Sequence, residues 1–140
     1  MLYIDTSVLV AACTIETRTD DVQQWLATLG SEEIAVSGWT ITEFSSAVAL
    51  KTRNGQIDPA DRGEALAMFR ELCSTTFEFL PISQAHFIEA ARMTDRFDIG
   101  LRTGDALHLA VALGSDATLV TLDKGLAKAC TIVGAKHQLL

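Results

Sequence analysis

Apolar positions recur along this chain in two rhythms. Leu2-Tyr3-Ile4, Ile34-Ala35-Val36, Phe77 to Ile82 and Thr118-Leu119-Val120-Thr121 are short apolar-rich runs between polar or turn-forming residues, as buried strands are. Helical spacing fills the intervals. Val8 to Cys13 predicts a short helix after the turn Asp5-Thr6-Ser7, and Val22, Trp25, Leu26 and Leu29 predict a second that stops at Gly30. Thr40-Ile41-Thr42-Glu43 opens a third, with Ile41, Phe44, Ser45 and Val48 along one stripe, ending near Asn54-Gly55. Asp58-Pro59 reads as an N-cap followed by proline at the first helical position of a fourth, which carries Leu66, Phe69 and Leu72 towards Cys73. Ser83 caps a fifth through Phe87, Ile88 and Ala91. A sixth runs from Thr103 to Leu113-Gly114, and a short seventh from Asp123 to Ala129. Thr131-Ile132-Val133 predicts a last edge strand.

Strands that alternate with helices need crossover connections. The expected architecture is therefore α/β: a mostly parallel sheet with helices on both faces, a three-layer sandwich. The 140 residues show no internal repeat, linker or low-complexity run, so residues 1–140 read as a single domain with enough chain to bury a core.

Composition narrows the function classes. Hydrophobic residues make up 49% of the chain, which predicts a globular protein, and no apolar stretch is long enough to span a bilayer. The beginning of the chain has no basic segment ahead of an apolar one, so it reads as a strand and not a signal peptide. The 3 cysteines, Cys13, Cys73 and Cys130, are odd in number and far apart, which argues against a disulfide framework and against structural zinc. They read as small buried hydrophobes in a cytoplasmic protein. The net charge of −7 is wrong for broad non-specific nucleic-acid binding, but it suits a basic protein partner or a cleft neutralised locally by metal ions.

The chemistry lies in Asp5, Glu43, Asp105 and Asp123. Each stands where a strand ends or a helix begins, and in an open α/β sheet those places converge on one edge. Each also has an ordinary explanation. Carboxylates favour helix N-termini, Thr40-x-x-Glu43 matches a capping box, and Asp5 and Asp123 could cap the helices that follow them. Asp105 tips the balance. The helix from Ala106 to Leu113 is apolar on nearly every side, so it is buried, and a carboxylate at its start needs a cationic partner or must become protonated. Arg102 is one candidate, and a metal ion is the other. Two like charges about 5 Å apart repel by roughly 3 kcal/mol at an effective dielectric near 20. A hard divalent cation such as Mg²⁺ or Mn²⁺ would convert that repulsion among three or four converging carboxylates into coordination, and partial protonation is the cheaper alternative.

His108 shares a helix face with Asp105 and reads as a core histidine with one satisfied nitrogen. Thr6, Ser7 and Thr121 stand beside the acids, placed to orient them. Sequence patterns for a catalytic serine elbow, a zinc protease helix, a dinucleotide fingerprint and a P-loop are all absent. Metal-assisted hydrolysis of a phosphodiester is the reaction that remains.

The segments Leu2-Tyr3-Ile4-Asp5-Thr6-Ser7, Thr42-Glu43-Phe44, Leu101-Arg102-Thr103-Gly104-Asp105-Ala106-Leu107-His108 and Leu119-Val120-Thr121-Leu122-Asp123-Lys124 strongly resemble PIN-domain ribonucleases, in particular the toxins of bacterial VapBC toxin–antitoxin pairs. The resemblance covers essentially the whole chain. It implies a Rossmann-like, PIN-like parallel sheet of about five strands with the first and fourth side by side, which brings Asp5 and Asp123 together. It also implies Mg²⁺- or Mn²⁺-dependent endoribonuclease activity in the cytoplasm, an RNA substrate, a cognate antitoxin that blocks the cleft, and a homodimer. By position, Asp5 and Asp105 are expected as direct metal ligands, with Glu43 and Asp123 completing the acidic site. Lys51, Arg53, Arg102, Lys124 and Lys128 are candidates to touch the RNA backbone. Gly104 departs from the family, which often has a larger residue there. Two other readings remain compatible with the sequence: a non-catalytic subunit of the same fold, and a stand-alone RNA-processing nuclease.

Overall fold

The computed structural model describes residues 1–30 and 33–140. Among the described residues the chain forms five strands and seven helices. They are β1 (Leu2–Ile4), α1 (Thr6–Cys13), α2 (Thr19–Thr28), β2 (Ile34–Ser37), α3 (Gly38–Arg53), α4 (Pro59–Thr75), β3 (Phe77–Leu80), α5 (Gln84–Thr94), α6 (Thr103–Gly114), β4 (Thr118–Thr121), α7 (Lys124–Val133) and β5 (His137–Leu139). All strand pairs are parallel, in the order β3-β2-β1-β4-β5. The expected sandwich is present, with β1 and β4 adjacent at the centre.

The period-2 alternation of strand side chains divides the core between the two faces. Ile4, Ile34, Val36, Phe77 and Val120 pack on one side with residues of α1, α3 and α4, where the rings of Phe44 and Phe69 stack with centroids 4.1 Å apart. Tyr3, Ala35, Leu80 and Leu119 pack on the other with Met93 of α5, Leu109 of α6 and Leu126 of α7. Because both faces are covered, the central strands are mostly apolar, with Thr121 of β4 and Ser37 of β2 at their carboxyl ends. The helix read as buried is buried: Ala106 to Ala112 of α6 are all enclosed. No helix of the described residues is long and apolar enough to cross a membrane. Cys13 and Cys130 are buried and Cys73 partly so, all as free thiols. Burial pushes the Cys13 thiol up to about 12 and that of Cys130 up to about 11.

Four local expectations need correction. Residues Thr131-Ile132-Val133 are the last turn of α7, not an edge strand, and the fifth strand is His137–Leu139. Their β-branched character is overridden by strong helix signals at both ends, Asp123 as N-cap and Gly134 as a left-handed C-cap at φ 75°. Strand β3 ends at Leu80 and not at Ile82, because Pro81 has no N–H to continue the ladder. In α3 the N-cap is Ser37, whose backbone N–H donates to Oγ1 of Thr40, so Thr40 is the third helical residue and Glu43 is released from any capping role. Finally, Ile41 of α3 and Phe87 and Ile88 of α5 face outward, while Phe44, Val48, Ala90 and Met93 fill the inner stripes.

Candidate functional site

The crevice at the carboxyl ends of β1 and β4 is where this strand order places a site. Asp5 is the first residue after β1 and only 5% exposed. Its carboxylate is fixed from two sides. Ser7 Oγ donates to Oδ2 at 2.5 Å and Thr121 Oγ1 donates to the same oxygen at 2.8 Å. Ser7 Oγ in turn accepts from the Leu122 N–H at 3.0 Å, and Thr121 Oγ1 from the Asp123 N–H at 2.9 Å. Ser7 and Thr121 thus couple the β1–α1 turn to the β4–α7 turn through the Asp5 carboxylate.

Glu43 reaches the same place from the second turn of α3. Its Oε2 accepts from Thr6 Oγ1 at 2.6 Å and from His108 Nε2 at 2.7 Å. Burial works against its charge, but His108, Thr6 and the nearby Trp39 outweigh that and hold its carboxyl below the usual range. Thr6 therefore bonds across the site, and not within its own turn. One ligand atom from each of Asp5, Glu43 and His108 falls within a 4.8 Å cluster suited to a metal ion.

Asp105 and Asp123 stand further out. Asp105, half-buried at the start of α6, is pushed up to about 6, first by burial and then by the negative charges of Asp5, Asp123 and Glu43. Only His108 opposes the shift. Arg102 is exposed, and no ion pair joins it to Asp105 among the described residues. Asp123 is exposed and has a structural task as well: its Oδ1 caps α7 by accepting from Gly125 N–H at 2.6 Å and Leu126 N–H at 3.0 Å. All four acids face one another electrostatically, and the tight cluster is Asp5, Glu43 and His108.

His108 is the residue that sequence reasoning undervalued. It is fully enclosed, and it touches the site with Nε2 while Nδ1 lies 2.8 Å from the Tyr3 hydroxyl, itself 2.8 Å from Ser37 Oγ. Burial pushes the Tyr3 hydroxyl up to about 12, so it keeps its hydrogen. The signal was present: a lone tyrosine in an apolar strand and a lone histidine in an apolar helix each need a buried partner. Of the candidate RNA-contact cations, Lys51 is engaged by Glu16 at 2.8 Å, while Arg53, Arg102, Lys124 and Lys128 are exposed.

The donor set fits a hard divalent cation. It is mainly carboxylate oxygen, it is preorganised by hydroxyls, and burial together with the neighbouring carboxylates raises the affinity of Asp105 for a proton.

Known proteins place this architecture. The fold matches VapBC2 from Rickettsia felis bound to a DNA fragment from their promoter, at a TM-score of 0.70 and 22% identity over 99% of this chain and 98% of that one. It matches Mycobacterium tuberculosis VapC20, a sarcin–ricin-loop-cleaving toxin, at 0.72 and 16% over 92% and 95%. It matches PAE2754 from Pyrobaculum aerophilum at 0.67 and 27% over 97% and 82%. No curated protein sequence matches the chain. The family model described as PIN domain matches residues 2–132, and with the acid-lined crevice at the β1–β4 edge this settles the assignment: the chain belongs to the PIN domain family.

Proposed function

We propose that this protein is a metal-dependent endoribonuclease, the toxin of a VapBC-type toxin–antitoxin pair, acting on RNA in the cytoplasm. The observation that carries the reading is geometric: ligand atoms of Asp5, Glu43 and His108 lie within 4.8 Å of one another in the crevice, and the charges of Asp105 and Asp123 face them. The likeness to VapBC2 and VapC20 supports the toxin assignment and an antitoxin partner. The net charge of −7 suits a basic antitoxin segment laid over the acidic crevice.

Asp5 and Glu43 would hold the cation, with Asp105 and Asp123 completing the acidic site. When bound, a divalent ion lowers the pKa of water and neutralises charge building on the phosphate oxygens. The chain's own contribution is placement. Ser7 and Thr121 orient Asp5, and Thr6 and His108 orient Glu43, so the site needs little rearrangement to accept charge. Arg102, Lys124 and Lys128 lie near the starts of α6 and α7, where they would steady the RNA backbone.

The test is cleavage of total RNA by purified protein with Mg²⁺ or Mn²⁺, alongside Asp5→Asn and Asp105→Asn. Both variants should fold and lose cleavage by at least about a hundredfold. Full cleavage by both, free of contaminating nuclease, would end the proposal. A wild type that shows neither cleavage nor a thermal shift with Mn²⁺ would favour a non-catalytic subunit.

A further inference from the structure

Tyr3 and His108 are buried polar groups that take no part in holding a cation on the reading above, yet they form a chain ending on Glu43. Ser37 Oγ lies 2.8 Å from the Tyr3 hydroxyl, and that hydroxyl lies 2.8 Å from His108 Nδ1. His108 Nε2 lies 2.7 Å from Glu43 Oε2, 3.2 Å from Thr6 Oγ1 and 3.7 Å from Asp5 Oδ1. The hydrogens at the Glu43 end can be assigned by elimination. Glu43 Oε2 already serves as an acceptor, as a carboxylate oxygen does. The Thr6 hydroxyl sends its only hydrogen to Glu43 Oε2 at 2.6 Å. A 2.7 Å contact between Nε2 and Oε2 therefore requires the hydrogen to sit on Nε2. A ring nitrogen that carries a hydrogen has no lone pair for a metal.

We infer that His108 is a positioning residue and not a ligand: its Nε2–H, with the ring oriented through Nδ1 by the Tyr3 hydroxyl, fixes the Glu43 carboxylate beside Asp5. The inference rests on the reading that Glu43 helps to hold the cation. It adds a residue pair to the site and assigns the third member of the 4.8 Å cluster to hydrogen bonding, leaving the oxygens to coordinate. Tyr3 sits on the central strand and His108 on the buried helix, so both are held by the core, and Glu43 inherits that rigidity across three elements.

Two measurements test this on the full chain. The first is the ¹⁵N resonance of the His108 ring in wild type, without metal and with saturating Mg²⁺. A protonated Nε2 is expected in both states, and an unprotonated Nε2 in either would overturn the inference. The second is Mn²⁺ affinity by calorimetry without RNA. His108→Leu should weaken binding by about ten- to a hundredfold, as loss of a partner that orients a ligand does. His108→Gln, whose amide N–H can stand in for Nε2–H, should recover most of that loss, and Tyr3→Phe should fall between the two. A glutamine variant as weak as the leucine variant would also overturn the inference. If wild type binds no Mn²⁺, the proposed function fails, while the metal-free ¹⁵N resonance still decides where the hydrogen sits.

Discussion

Gly104 packs so closely against Glu43 that a Cβ at position 104 would overlap Oε1 of the carboxylate and come within 3.3 Å of Trp39 Nε1. The indole N–H of Trp39 is a buried polar group without a hydrogen-bond partner among the described residues. It still lowers the Glu43 carboxyl, acting as a nearby dipole that falls short of hydrogen-bond geometry. Gly104 thus makes room for a carboxylate already held on its other oxygen by Thr6 and His108.

This makes Gly104→Ala a separation-of-function substitution. Removing a helical glycine gains up to about 1 kcal/mol in backbone terms, which offsets the local crowding. The melting temperature should stay within a few degrees of wild type, while Mn²⁺ affinity and RNA cleavage fall by roughly tenfold as Glu43 is displaced. Unchanged affinity would show that Glu43 yields without consequence.

Asp105 gives the metal-free protein an unusual pH dependence. Its carboxyl titrates at about 6 in the folded chain against 3.8 for the reference group. Between those values the folded state binds more protons than the unfolded state, so stability falls as pH rises through the window and stays lower above it. Screening of a partly exposed group limits the effect to about 1 kcal/mol, or about 4 °C in melting temperature. Asp105→Asn should remove the slope and raise the melting temperature at pH 7. Saturating Mg²⁺ should also abolish it, and cation affinity should weaken as pH drops below about 6. Thermal melts from pH 4 to 8, with and without Mg²⁺, read all three.

Asp123 carries two tasks that substitution can split. Its Oδ1 caps α7 through Gly125 and Leu126, and its charge faces Asp105. Asparagine caps as well as aspartate does, so Asp123→Asn should keep stability and lose cleavage. Asp123→Ala should lose cleavage and also about 1 kcal/mol of stability. Equal destabilisation by both in urea unfolding would mean that the charge, and not the cap, matters to the fold.

The contrast between Asp123 and Glu43 shows what the sequence could and could not reveal. The strand–helix alternation and the positions of Asp5, Asp105 and Asp123 at element boundaries follow from hydrophobic period and turn chemistry, which are local, and both are found in the fold, whereas Glu43 lies a turn inside α3. Capping is local too, yet the same residue types serve as caps and as ligands. Thr40-x-x-Glu43 looked like a capping box, and the structure moved the cap to Ser37. The Tyr3–His108–Glu43 chain joins residues 40, 65 and 105 positions apart or nearer only through the sheet, and no spacing rule reports such a contact. The same limit explains α7: the β-branched run at 131–133 carried a strand preference that Asp123 and Gly134 overrule from outside it.

The outward residues of α5 give the last expectation. Phe87 is 56% and Ile88 63% exposed, and beside them opens an apolar cavity of about 330 Å³ walled by Trp39, Phe87, Ala91 and Leu107. An exposed aromatic such as Phe87 in the wall of a concave apolar surface favours contact with another chain over solvent. A second copy meeting this face about a two-fold axis would bury the same residues on both partners and give the expected homodimer. A central aromatic anchor is worth about 2 kcal/mol, so Phe87→Glu should weaken self-association by about thirtyfold. Light scattering across a micromolar dilution series should find dimers for wild type and monomers for Phe87→Glu. Trp39 is shared by this cavity and the surroundings of Glu43, so Mn²⁺ affinity measured alongside separates loss of the dimer from a change at the acidic site. Wild type that remains monomeric at high micromolar concentration would place the homodimer elsewhere or nowhere.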